Sequence, residues 1–584
     1  MSRIQNLVLA AGTALNHLSD DPVVLALQIS RRLPTSIVMP AAKLMIRTFP
    51  HSTATHSMLA SFVTGDIDAL EVKLSDALTR DISANRARLA ADVALAAGRP
   101  DWADQFLPLA KPSKRFPATE ARREWYSGNM ESAIAALAGQ RGAMKRHRER
   151  LAGEQRTFSG WTPELPSTPM APIRGRVLHL LTNSLPHTSS GYAQRSHSIM
   201  LAQQQAGREV LAVTRLGYPV QVGKVLAAGE DIIDGVCYRR MIPSNLARTP
   251  DARMQQEAEA LLKIVVEFRP EILHTTTHFA NGLVVNAVAK AANIPWVYEV
   301  RGQLADTWAS TRGESAKNSE RYQLFQAAEA RVMQDADAVV TLGETMLAGI
   351  VAQGISSEKV ILGPNAVGGD FLAEPGTPEA AREKLGLDPS LNYIGTVSSL
   401  VDYEGLDHLV DAFSLLAPQF PKLRLLIVGG GTAGPALRDQ AAKLGLSDRV
   451  IFTGRVAREV TSEYHQSMDI FVVSRKDLDV TKAVTPLKPV EALASARPVV
   501  ASDLPALREI VTPGENGMLS PANNPKALAS TLAILLRDET LRQRLGASGR
   551  QSVLKNRTWA ANAQRYAERY EELINHQTRK EVIG

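Results

Sequence analysis

Three basic residues and one acidic residue lie close together in the stretch FVVSRKDLDVTKAVTPLKPVEALASARPVVASD, residues 471–503. Arg475 and Lys476 follow an apolar run directly, and Lys488 precedes Glu491 by three positions near the start of a predicted helix. The first turn of a helix presents free N–H groups and a partial positive charge to an anion, and the three cations add full charges. Glu491 is well placed to accept hydrogen bonds from sugar hydroxyls. This chemistry suits a ligand that contains a diphosphate and a ribose.

The residues around this group predict a strand, a loop, a helix and a second strand. The run from Ile470 to Val473 is typical of a buried strand. Thr485 is typical of an N-cap and Pro486 of the first helical position, so we expect the helix to begin there. Such a unit has its loop at the carboxyl edge of a parallel sheet, where open α/β folds bind ligands. An ordinary βαβ unit with solvated basic residues explains the spacing equally well.

The composition is that of a globular protein with several domains. At 584 residues the chain exceeds the size of one hydrophobic core, so about three domains are expected. No stretch approaches the roughly 18 apolar residues of a membrane span, and the N-terminal residues lack the pattern of a signal peptide. Cys237 is the only cysteine, which excludes an intramolecular disulfide, and no Cys/His cluster predicts a metal site. We therefore expect a cytoplasmic protein without a bound metal.

The net charge of +6 favours anionic partners such as a nucleotide, a phospholipid surface or a nucleic acid. The charge is dispersed, and its one dense run, residues 145–150, is more typical of a solvated helix face or linker than of a nucleic-acid site. We expect no nucleic-acid partner. Contact with a membrane is expected to be peripheral at most, at the inner membrane face.

Residues 1–150 predict a helical domain, and residues 151–175, rich in Pro, Ser, Thr and Gly, predict a linker. Three segments of the helical domain each place a glycine between two helical patterns, at spacings of 33 and 30 residues. These glycines are Gly65, Gly98 and Gly128, and the residues expected where the paired helices touch are Leu70, Ala103 and Ala133. The pattern resembles degenerate tetratricopeptide repeats. It predicts either a plain helical domain or a module that binds a protein partner.

From Arg176 onward, short apolar strands alternate with helical patterns, which predicts α/β architecture with two doubly wound parallel sheets. The first half is expected at 176–370 and the second at 371–574, with 575–584 as a tail. Two similar α/β halves suggest a cleft between them, which is the usual place for a small-molecule site.

Five motifs in residues 176–574 carry a family resemblance: SSGYAQRS, PNAV, IVGGG, FTGRV and, as the most specific, PLKPVEALASARPVVASDLPALREIVTPGENGMLSP. They resemble the retaining nucleotide-sugar glycosyltransferases of the GT-B fold, a family that includes sucrose synthases and bacterial phosphatidylinositol mannosyltransferases. VSSLVDYEGLDHLVDAF, VSRKDLDV and YEVRG are similar to a subgroup of bacterial transferases for polysaccharide assembly. The resemblance implies two Rossmann-like domains that face a cleft, the first on the acceptor side and the second binding the nucleotide sugar, with the all-α domain as an N-terminal extension.

The resemblance also implies a set of donor-binding residues. Glu491 would match the second glutamate of the family's paired-glutamate motif and bind the donor ribose. Three residues would lie beside the base, and two in the first loop would bring backbone close to the phosphates. The residues expected beside the base are Gly454, Arg455 and Val456, and the two in the first loop are Ser190 and Gly191. Gly430 and Leu487 complete the donor site. Turn geometry alone is the alternative explanation for each glycine.

The chain departs from the family pattern at the first glutamate of that motif, which falls on Ala483. This glutamate usually contacts the transferred sugar, so Asp477 or Asp479 would have to substitute for it. The sequence therefore leaves the identity of the sugar open.

A second departure concerns the arginine and lysine that hold the diphosphate in many family members. Those positions match Ser399 and Glu404, neither of which is cationic. The positive charge then has to come from elsewhere, and Arg475 and Lys488 are the candidates.

A third departure is Arg301 in YEVRG, where many members of the family carry a histidine. Glu299 and Arg301 would form an active-site pair, or Arg301 would contact phosphate or acceptor. A purely structural salt bridge is the rival interpretation.

The resemblance predicts a retaining hexosyltransferase that moves a sugar from a UDP- or GDP-sugar to a hydroxyl of a glycan or lipid-linked acceptor, with no cofactor required. Its predicted catalytic residues are Arg475, Lys488, Glu299 and Arg301. Two alternatives stay open: a nucleotide-sugar 2-epimerase on the same fold, and a non-catalytic GT-B protein whose helical domain binds partners.

Overall fold

The computed structural model describes residues 3–20 and 55–583, and of these it describes the side chains of 4–13 and 57–579. The N-terminal region is helical throughout its described part, and residues 1–2 and 21–54 of the predicted helical domain lie outside the described residues. Its helices are α1 (Arg3–Asp20), α2 (Thr55–Thr64), α3 (Ile67–Leu78), α4 (Ala84–Ala96), α5 (Pro100–Ala110), α6 (Phe116–Ser127), α7 (Met130–Ala135) and α8 (Ala143–Phe158).

The three predicted inter-helix glycines lie where the sequence pattern put them. Gly65, Gly98 and Gly128 each follow a helix and have φ of +74°, +77° and +89°, a backbone region that favours glycine. The residues expected at the paired-helix contacts, Leu70, Ala103 and Ala133, are fully buried. The helical pairing is confirmed at these positions, while the relation to tetratricopeptide repeats stays a prediction.

The predicted start of the linker is wrong by eight residues, because α8 continues to Phe158. Phe158 is buried and its ring packs against Phe279 and Phe325, with ring centroids 4.9 and 5.4 Å apart. This tertiary contact stabilises the last turns of a helix whose sequence is otherwise strongly polar. The irregular segment is therefore 159–175.

The first α/β domain contains an eight-stranded sheet in the order β3-β4-β2-β1-β5-β6-β7-β8, parallel except for the edge strand β3. Its strands are β1 (Arg176–Leu181), β2 (Glu209–Thr214), β3 (Glu230–Ile233), β4 (Val236–Arg240), β5 (Ile272–Thr276), β6 (Trp296–Glu299), β7 (Ala338–Thr341) and β8 (Val360–Leu362). Its helices are α9 (Gly191–Gln205), α10 (Pro250–Phe268), α11 (Phe279–Ala292), α12 (Leu304–Ala309), α13 (Glu320–Asp335) and α14 (Glu344–Ala352).

The second α/β domain contains a six-stranded, fully parallel sheet in the order β11-β10-β9-β12-β13-β14. Its strands are β9 (Asn392–Val397), β10 (Leu423–Val428), β11 (Val450–Gly454), β12 (Ile470–Val473), β13 (Val499–Ser502) and β14 (Gly517–Ser520). The helices that follow α14 in the chain are α15 (Pro378–Leu385), α16 (Leu406–Leu416), α17 (Gly434–Lys443), α18 (Thr461–Gln466), α19 (Asp479–Ala483), α20 (Lys488–Ala494), α21 (Pro505–Arg508), α22 (Pro525–Arg537), α23 (Glu539–Asn556) and α24 (Trp559–Ile583).

The last helix, α24, departs from the predicted domain boundaries. It continues through the expected tail to Ile583, and its buried face packs against the first sheet instead of the second. Trp559 and Tyr566 lie in one apolar cluster with Val177, Val297 and Val340 of β1, β6 and β7. The chain therefore crosses back to the first domain after α23, a tertiary connection that local sequence patterns do not encode.

The helical region and the first α/β domain meet at a tight junction. A Cβ at Gly128 would lie 2.5 Å from the Ser319 hydroxyl and 2.8 Å from the Trp308 ring, so only glycine fits there. The Glu320 carboxylate accepts a hydrogen bond from the backbone N–H of Glu131 at 2.8 Å. The segment around residue 319 then reaches the second domain, since Lys317 forms a 2.5 Å ion pair with Asp479.

Candidate active site

The helix that carries Lys488 begins two residues later than the sequence predicts. α20 spans Lys488–Ala494 with Leu487 as its N-cap, and no side chain caps its first N–H groups. Thr485 is buried at the contact with the first domain, where its backbone oxygen accepts a 2.8 Å hydrogen bond from the side chain of Asn365. The Thr485 hydroxyl donates to the Leu342 backbone oxygen at 3.5 Å and does not cap the helix. Because α20 has only seven residues, charged side chains carry more of any anion binding than its dipole does.

Lys488 and Arg475 meet at the carboxylate of Glu404, 84 and 71 positions away in the sequence. Lys488 Nζ lies 2.6 Å from Glu404 Oε1 and 2.6 Å from the Ser398 hydroxyl. Arg475 Nη2 lies 3.2 Å from the same carboxylate oxygen, and its Nη1 donates to the Val484 backbone oxygen at 2.8 Å. Arg475 and Lys488, the two cations predicted for the site, thus share the carboxylate of Glu404. Many family members carry a cation at the position of Glu404.

The Glu404 carboxylate is stabilised in its charged form. Burial alone would raise the pKa of Glu404, but the adjacent guanidinium of Arg475 and ammonium of Lys488 lower it to about 2. Burial lowers the pKa of Lys488, and Glu404 opposes that shift. Two positive charges and one negative charge leave one net positive charge in the group. Of the two cationic side chains, Lys488 is the more accessible, at 19% exposure against 9% for Arg475.

Glu491 lies one turn after Lys488 on the same face of α20. Its side chain is 21% exposed, and the nearest donor is His465 Nε2 at 3.6 Å, which is beyond hydrogen-bond distance. His465 itself is fully buried and stacks on the Phe471 ring at 4.9 Å. Within the described residues, the Glu491 carboxylate therefore has no hydrogen-bond donor and can accept bonds from a ligand.

The remaining charged residues of the Arg475 loop are engaged elsewhere. Lys476 Nζ pairs with Asp402 at 2.6 Å and Asp407 at 2.9 Å. Asp477 pairs with Lys482, and Asp479 pairs across the domains with Lys317. Both aspartates are thus partly exposed and paired with lysines, and that one of them substitutes for the glutamate that Ala483 replaces stays a prediction.

The residues predicted beside the base lie further along the same sheet edge. The order β11-β10-β9-β12 aligns Gly454, Gly430, Ser398 and Arg475 at four neighbouring carboxyl ends. Gly454 has φ of +74°, and its backbone oxygen accepts from Gly429 N at 2.9 Å. A Cβ at Gly430 would lie 3.0 Å from Arg455 Cγ, so packing against the exposed Arg455 side chain explains that glycine. Val456 and Leu487, the other apolar residues predicted for the donor site, are both half-buried.

The first loop, between β1 and α9, contributes Ser190 and Gly191. The Ser190 hydroxyl caps α9 by accepting a 3.3 Å hydrogen bond from Ala193 N. Gly191 is exposed, its φ is not positive, and a Cβ there would meet nothing within 4 Å. Neither turn geometry nor packing among the described residues explains this glycine. Gln194, on the first turn of α9, reaches Arg458 of the second domain, so the loop faces that domain.

Glu299 and Arg301 form the predicted pair, but Glu299 is fully buried and makes no contact with the cleft. Its two oxygens accept from Arg195 Nε at 2.8 Å and from Arg301 Nη2 at 2.7 Å. Burial would raise the pKa of Glu299, and the two guanidinium groups hold it well below its usual range. That Glu299 is catalytic stays a prediction; its carboxylate holds Arg301, which also donates to Ser196 Oγ and to the Tyr192 backbone oxygen.

Arg195 and Asn365 are residues that the sequence interpretation missed. Arg195 Nη1 donates to Asn365 Oδ1 at 3.1 Å, and Asn365 Nδ2 donates to the Thr485 backbone oxygen. A continuous chain of contacts thus joins Glu299 to the residues directly before α20. Arg195 lies one helical turn after Gly191 in SSGYAQRS, and this spacing could have indicated that the two residues share a helix face.

A cavity of about 670 Å³ lies at another part of the domain interface, beside Gly343, Glu509 and Arg557, and none of the predicted site residues lines it. In the described part of the chain, no three His, Cys, Asp or Glu side chains are grouped as metal ligands.

Comparison with known families agrees with this geometry. The profile described as "Glycosyl transferases group 1" matches residues 378–552, and that of the "Glycosyl transferase 4-like domain" matches residues 190–366. The second α/β domain belongs to the group 1 glycosyltransferases and the first to the glycosyl transferase 4-like domains. The resemblance to glycosyltransferases of the GT-B fold is confirmed, while retention of the anomeric configuration stays a prediction.

Among curated relatives of this chain, the lipopolysaccharide core biosynthesis mannosyltransferase LpsB of Rhizobium meliloti is 30% identical over 202 residues, 33% of this chain and 55% of LpsB. The GDP-mannose-dependent alpha-(1-6)-phosphatidylinositol monomannoside mannosyltransferase of Mycolicibacterium smegmatis is 29% identical over 241 residues, 41% of this chain and 63% of the relative. The chain thus spans between half and two thirds of the length of these relatives.

Solved structures confirm the GT-B fold. Sucrose-phosphate synthase from Thermosynechococcus elongatus superposes with a TM-score of 0.56 at 21% identity, covering 69% of this chain and all of that one. Anabaena Alr3699/HepE in complex with UDP superposes with a TM-score of 0.52 at 16% identity, covering 68% of this chain and all of that one.

Glu404→Gln should reduce the acid-induced loss of stability. A carboxyl whose pKa is lowered by folding stabilises the fold above its unfolded pKa, and this contribution is lost as the pH falls through the folded pKa. The shift from 4.5 to about 2 corresponds to roughly 3 kcal/mol, lost between those two pH values. Urea unfolding at about pH 7 and about pH 3 should therefore show a smaller decrease in unfolding free energy for the variant than for the wild type.

The exposed Glu515 supplies the control, since Glu515→Gln should leave the pH dependence of the wild type unchanged. Equal losses for Glu404→Gln and wild type would contradict the assigned charge of the buried carboxylate.

Proposed function

We propose that this protein is a hexosyltransferase that takes its sugar from a nucleoside diphosphate sugar. The observation that carries the proposal concerns two side chains one turn apart on α20. Lys488 is accessible, and the Glu491 carboxylate accepts no hydrogen bond within the described residues. Lys488 suits the diphosphate and Glu491 the vicinal hydroxyls of the ribose. Gly191, with open space in front of it on the first domain, leaves room for the phosphates between the two domains.

The donor is proposed to be a UDP- or GDP-sugar. A GDP-mannose-dependent relative and a UDP complex of a protein with the same fold support these two nucleotides as the ones to test. The base would lie beside Gly454, Arg455 and Val456 at the β11 end of the sheet edge. Ribose and diphosphate would then follow towards β12, in the order in which the strands lie.

The reaction is proposed to retain the anomeric configuration by attack from the face of the leaving group. The β-phosphate accepts the acceptor's proton while the bond between C1 and the phosphate oxygen breaks. Lys488 stabilises the negative charge that develops on the leaving diphosphate, and Arg475 holds Glu404 and the loop after β12 in place. Arg301, fixed by Glu299, would face the phosphate or the acceptor. Positioning and electrostatics would thus carry the rate.

The acceptor is proposed to be a hydroxyl of a glycan or of a lipid-linked glycan in bacterial polysaccharide or glycoconjugate assembly. Relatives named for lipopolysaccharide core and phosphatidylinositol mannoside synthesis support this class. No helix among the described residues is long and apolar enough to span a bilayer. The net charge of +6 is compatible with peripheral contact at an anionic inner membrane face from a cytoplasmic location.

A non-catalytic protein on the same fold is the second candidate, and two observations favour it. The ammonium of Lys488 is already paired with Glu404, and Ala483 replaces a glutamate that contacts sugar in the family. Incubation with UDP- and GDP-sugars, followed by NMR of the products, separates the two. Release of nucleoside diphosphate supports a transferase, a changed sugar still on its nucleotide indicates an epimerase, and no turnover with any donor contradicts both enzymes.

Lys488→Ala should lower turnover by about 100-fold, the cost of one charged donor to the leaving group, roughly 3 kcal/mol. Lys482→Ala is the matched control, because Lys482 precedes the same helix but pairs with Asp477 at 2.6 Å. Turnover is measured as nucleoside diphosphate released from the preferred donor. Wild-type turnover by Lys488→Ala would remove Lys488 from the mechanism.

Glu491→Gln should weaken UDP or GDP binding by about tenfold, since a hydrogen bond to a charged acceptor contributes roughly 1.5 kcal/mol. The 2′,3′-dideoxy nucleotide lacks the hydroxyls that Glu491 would bind, so its affinity should be the same for variant and wild type. Calorimetric titration of both proteins with both nucleotides measures the four affinities. A loss of affinity for the dideoxy nucleotide as large as that for the natural one would refute ribose recognition by Glu491.

A further inference from the structure

Helix α1 packs on the first α/β domain through polar side chains. The side-chain amides of Gln5 and Asn6 donate to the backbone oxygens of Ile242 and Ala227, at 3.1 and 2.9 Å. Of the large apolar side chains described on α1, only Leu9 is buried. A surface helix normally buries its apolar stripe and exposes its polar face. The reverse orientation of α1 therefore calls for an explanation.

The outward face of α1 is apolar. Ile4, Leu7 and Val8 are between 51% and 71% exposed, and their spacing of three and four residues places them on one face of the helix. Ala11 and Gly12 continue this face by one turn and are exposed as well. Single exposed apolar residues are common on proteins, but a contiguous apolar face marks an interaction site.

A second exposed apolar segment adjoins α1. The loop after β2 contains the 3-10 helix Val220–Val222, against which α1 packs, and Ala227, to which Asn6 donates. Val222 and Leu226 of this loop are both exposed. We call the exposed aliphatic side chains of the two segments the apolar rim: Ile4, Leu7, Val8, Val222 and Leu226.

The charge within the apolar rim is positive. Residues 3–13 and 219–229 contain no acidic residue, and Lys224 lies between Val222 and Leu226 in the sequence. The Lys224 side chain is exposed, and no acidic group among the described residues forms an ion pair with it. An unpaired cation among aliphatic side chains is complementary to a surface that is apolar inside and anionic outside, which is the character of an anionic bilayer.

We propose that the apolar rim and Lys224 form a docking surface for an anionic bilayer. The aliphatic side chains insert between the lipid headgroups, and Lys224 binds their phosphates. A helix on the protein surface presents a ridge, which a fluid bilayer accommodates without a complementary groove. The inference rests on the proposed function and deepens it, because it places the meeting with a lipid-linked acceptor at the membrane.

The docking surface lies at the same edge of the first sheet as the first loop of the candidate site. β2 pairs in parallel with β1 and with β4, so the carboxyl ends of the three strands lie at one edge. The loop with Leu226 follows β2, and Ile242, which Gln5 holds, follows β4. The loop with Gly191 follows β1. A bilayer on the apolar rim is therefore next to the domain that the family resemblance assigns to the acceptor.

Co-sedimentation of the full chain with vesicles tests the surface. The probes are vesicles of phosphatidylcholine alone and of phosphatidylcholine with about 30% phosphatidylglycerol. We expect the wild type to bind the anionic vesicles, and Ile4→Ser/Leu7→Ser/Val8→Ser to lower its partition coefficient by about tenfold or more, because the apolar face is lost. Lys224→Gln should lower it by about fivefold, an effect that high salt removes.

The matched control is Leu415→Ser/Leu444→Ser/Ile534→Ser, which removes three exposed aliphatic side chains from the second domain. Its partition coefficient should stay within about twofold of the wild-type value. The affinity for UDP or GDP and the far-UV circular dichroism of every variant should equal those of the wild type, since none of the substituted residues belongs to the proposed donor site.

Absence of wild-type binding to the anionic vesicles would overturn the proposal and would mean that the apolar rim is covered in the full chain. Undiminished binding by Ile4→Ser/Leu7→Ser/Val8→Ser, or an equal loss in the control variant, would also overturn it. A wild-type dimer in sedimentation velocity that this α1 variant dissociates would assign the face to a second copy of the chain. Failure of the proposed function is distinguishable, because the wild type would then bind vesicles but neither UDP nor GDP.

Discussion

The donor-side geometry depends on a buried carboxylate, Glu404, that cannot be left without a cation. An unpaired charge at this depth would cost several kcal/mol, so the fold has to bring positive side chains to it. Arg475 and Lys488 meet that requirement from two different elements, and in doing so they fix the loop after β12 to the start of α20. The same contact holds Lys488 in one orientation with part of its side chain open to the cleft. The ion pair that satisfies this structural constraint therefore includes Lys488, the residue proposed to bind the diphosphate.

The first domain repeats this arrangement with Glu299. Arg195 and Arg301 neutralise that carboxylate, and both guanidinium groups have further donors that reach outward. Arg195 extends to Asn365 and from there to Thr485, while Arg301 holds the backbone at Tyr192. The two buried acids thus organise the two faces of one cleft and are connected through Asn365. Substituting Glu299 would leave two buried guanidinium groups without their carboxylate partner, so it is expected to disturb the positions of Arg195 and Arg301.

Local patterns predicted much of the fold. Alternating apolar strands and helices gave both parallel sheets, and the glycines of the helical region gave its helix pairs. Thr485 misled the prediction of the helix start because its hydroxyl and its backbone oxygen both bond to the first domain, at Leu342 and Asn365. The return of α24 to the first sheet and the continuation of α8 to Phe158 also depend on long-range packing. The spacing of Lys488 and Glu491 was readable because helical neighbours share a face. The pairing of Lys488 with Glu404 could not be predicted, because neither local sequence carries a signal for contact with the other.

The most direct test of the account is a crystal structure of the protein with bound UDP or GDP, whichever binds more tightly. The account predicts a phosphate oxygen within hydrogen-bond distance of Lys488 Nζ, the ribose hydroxyls on Glu491, and Glu404 still paired with Arg475. Phosphates bound away from α20, with Lys488 Nζ still held by Glu404 and Ser398 alone and the Glu491 carboxylate empty, would contradict it.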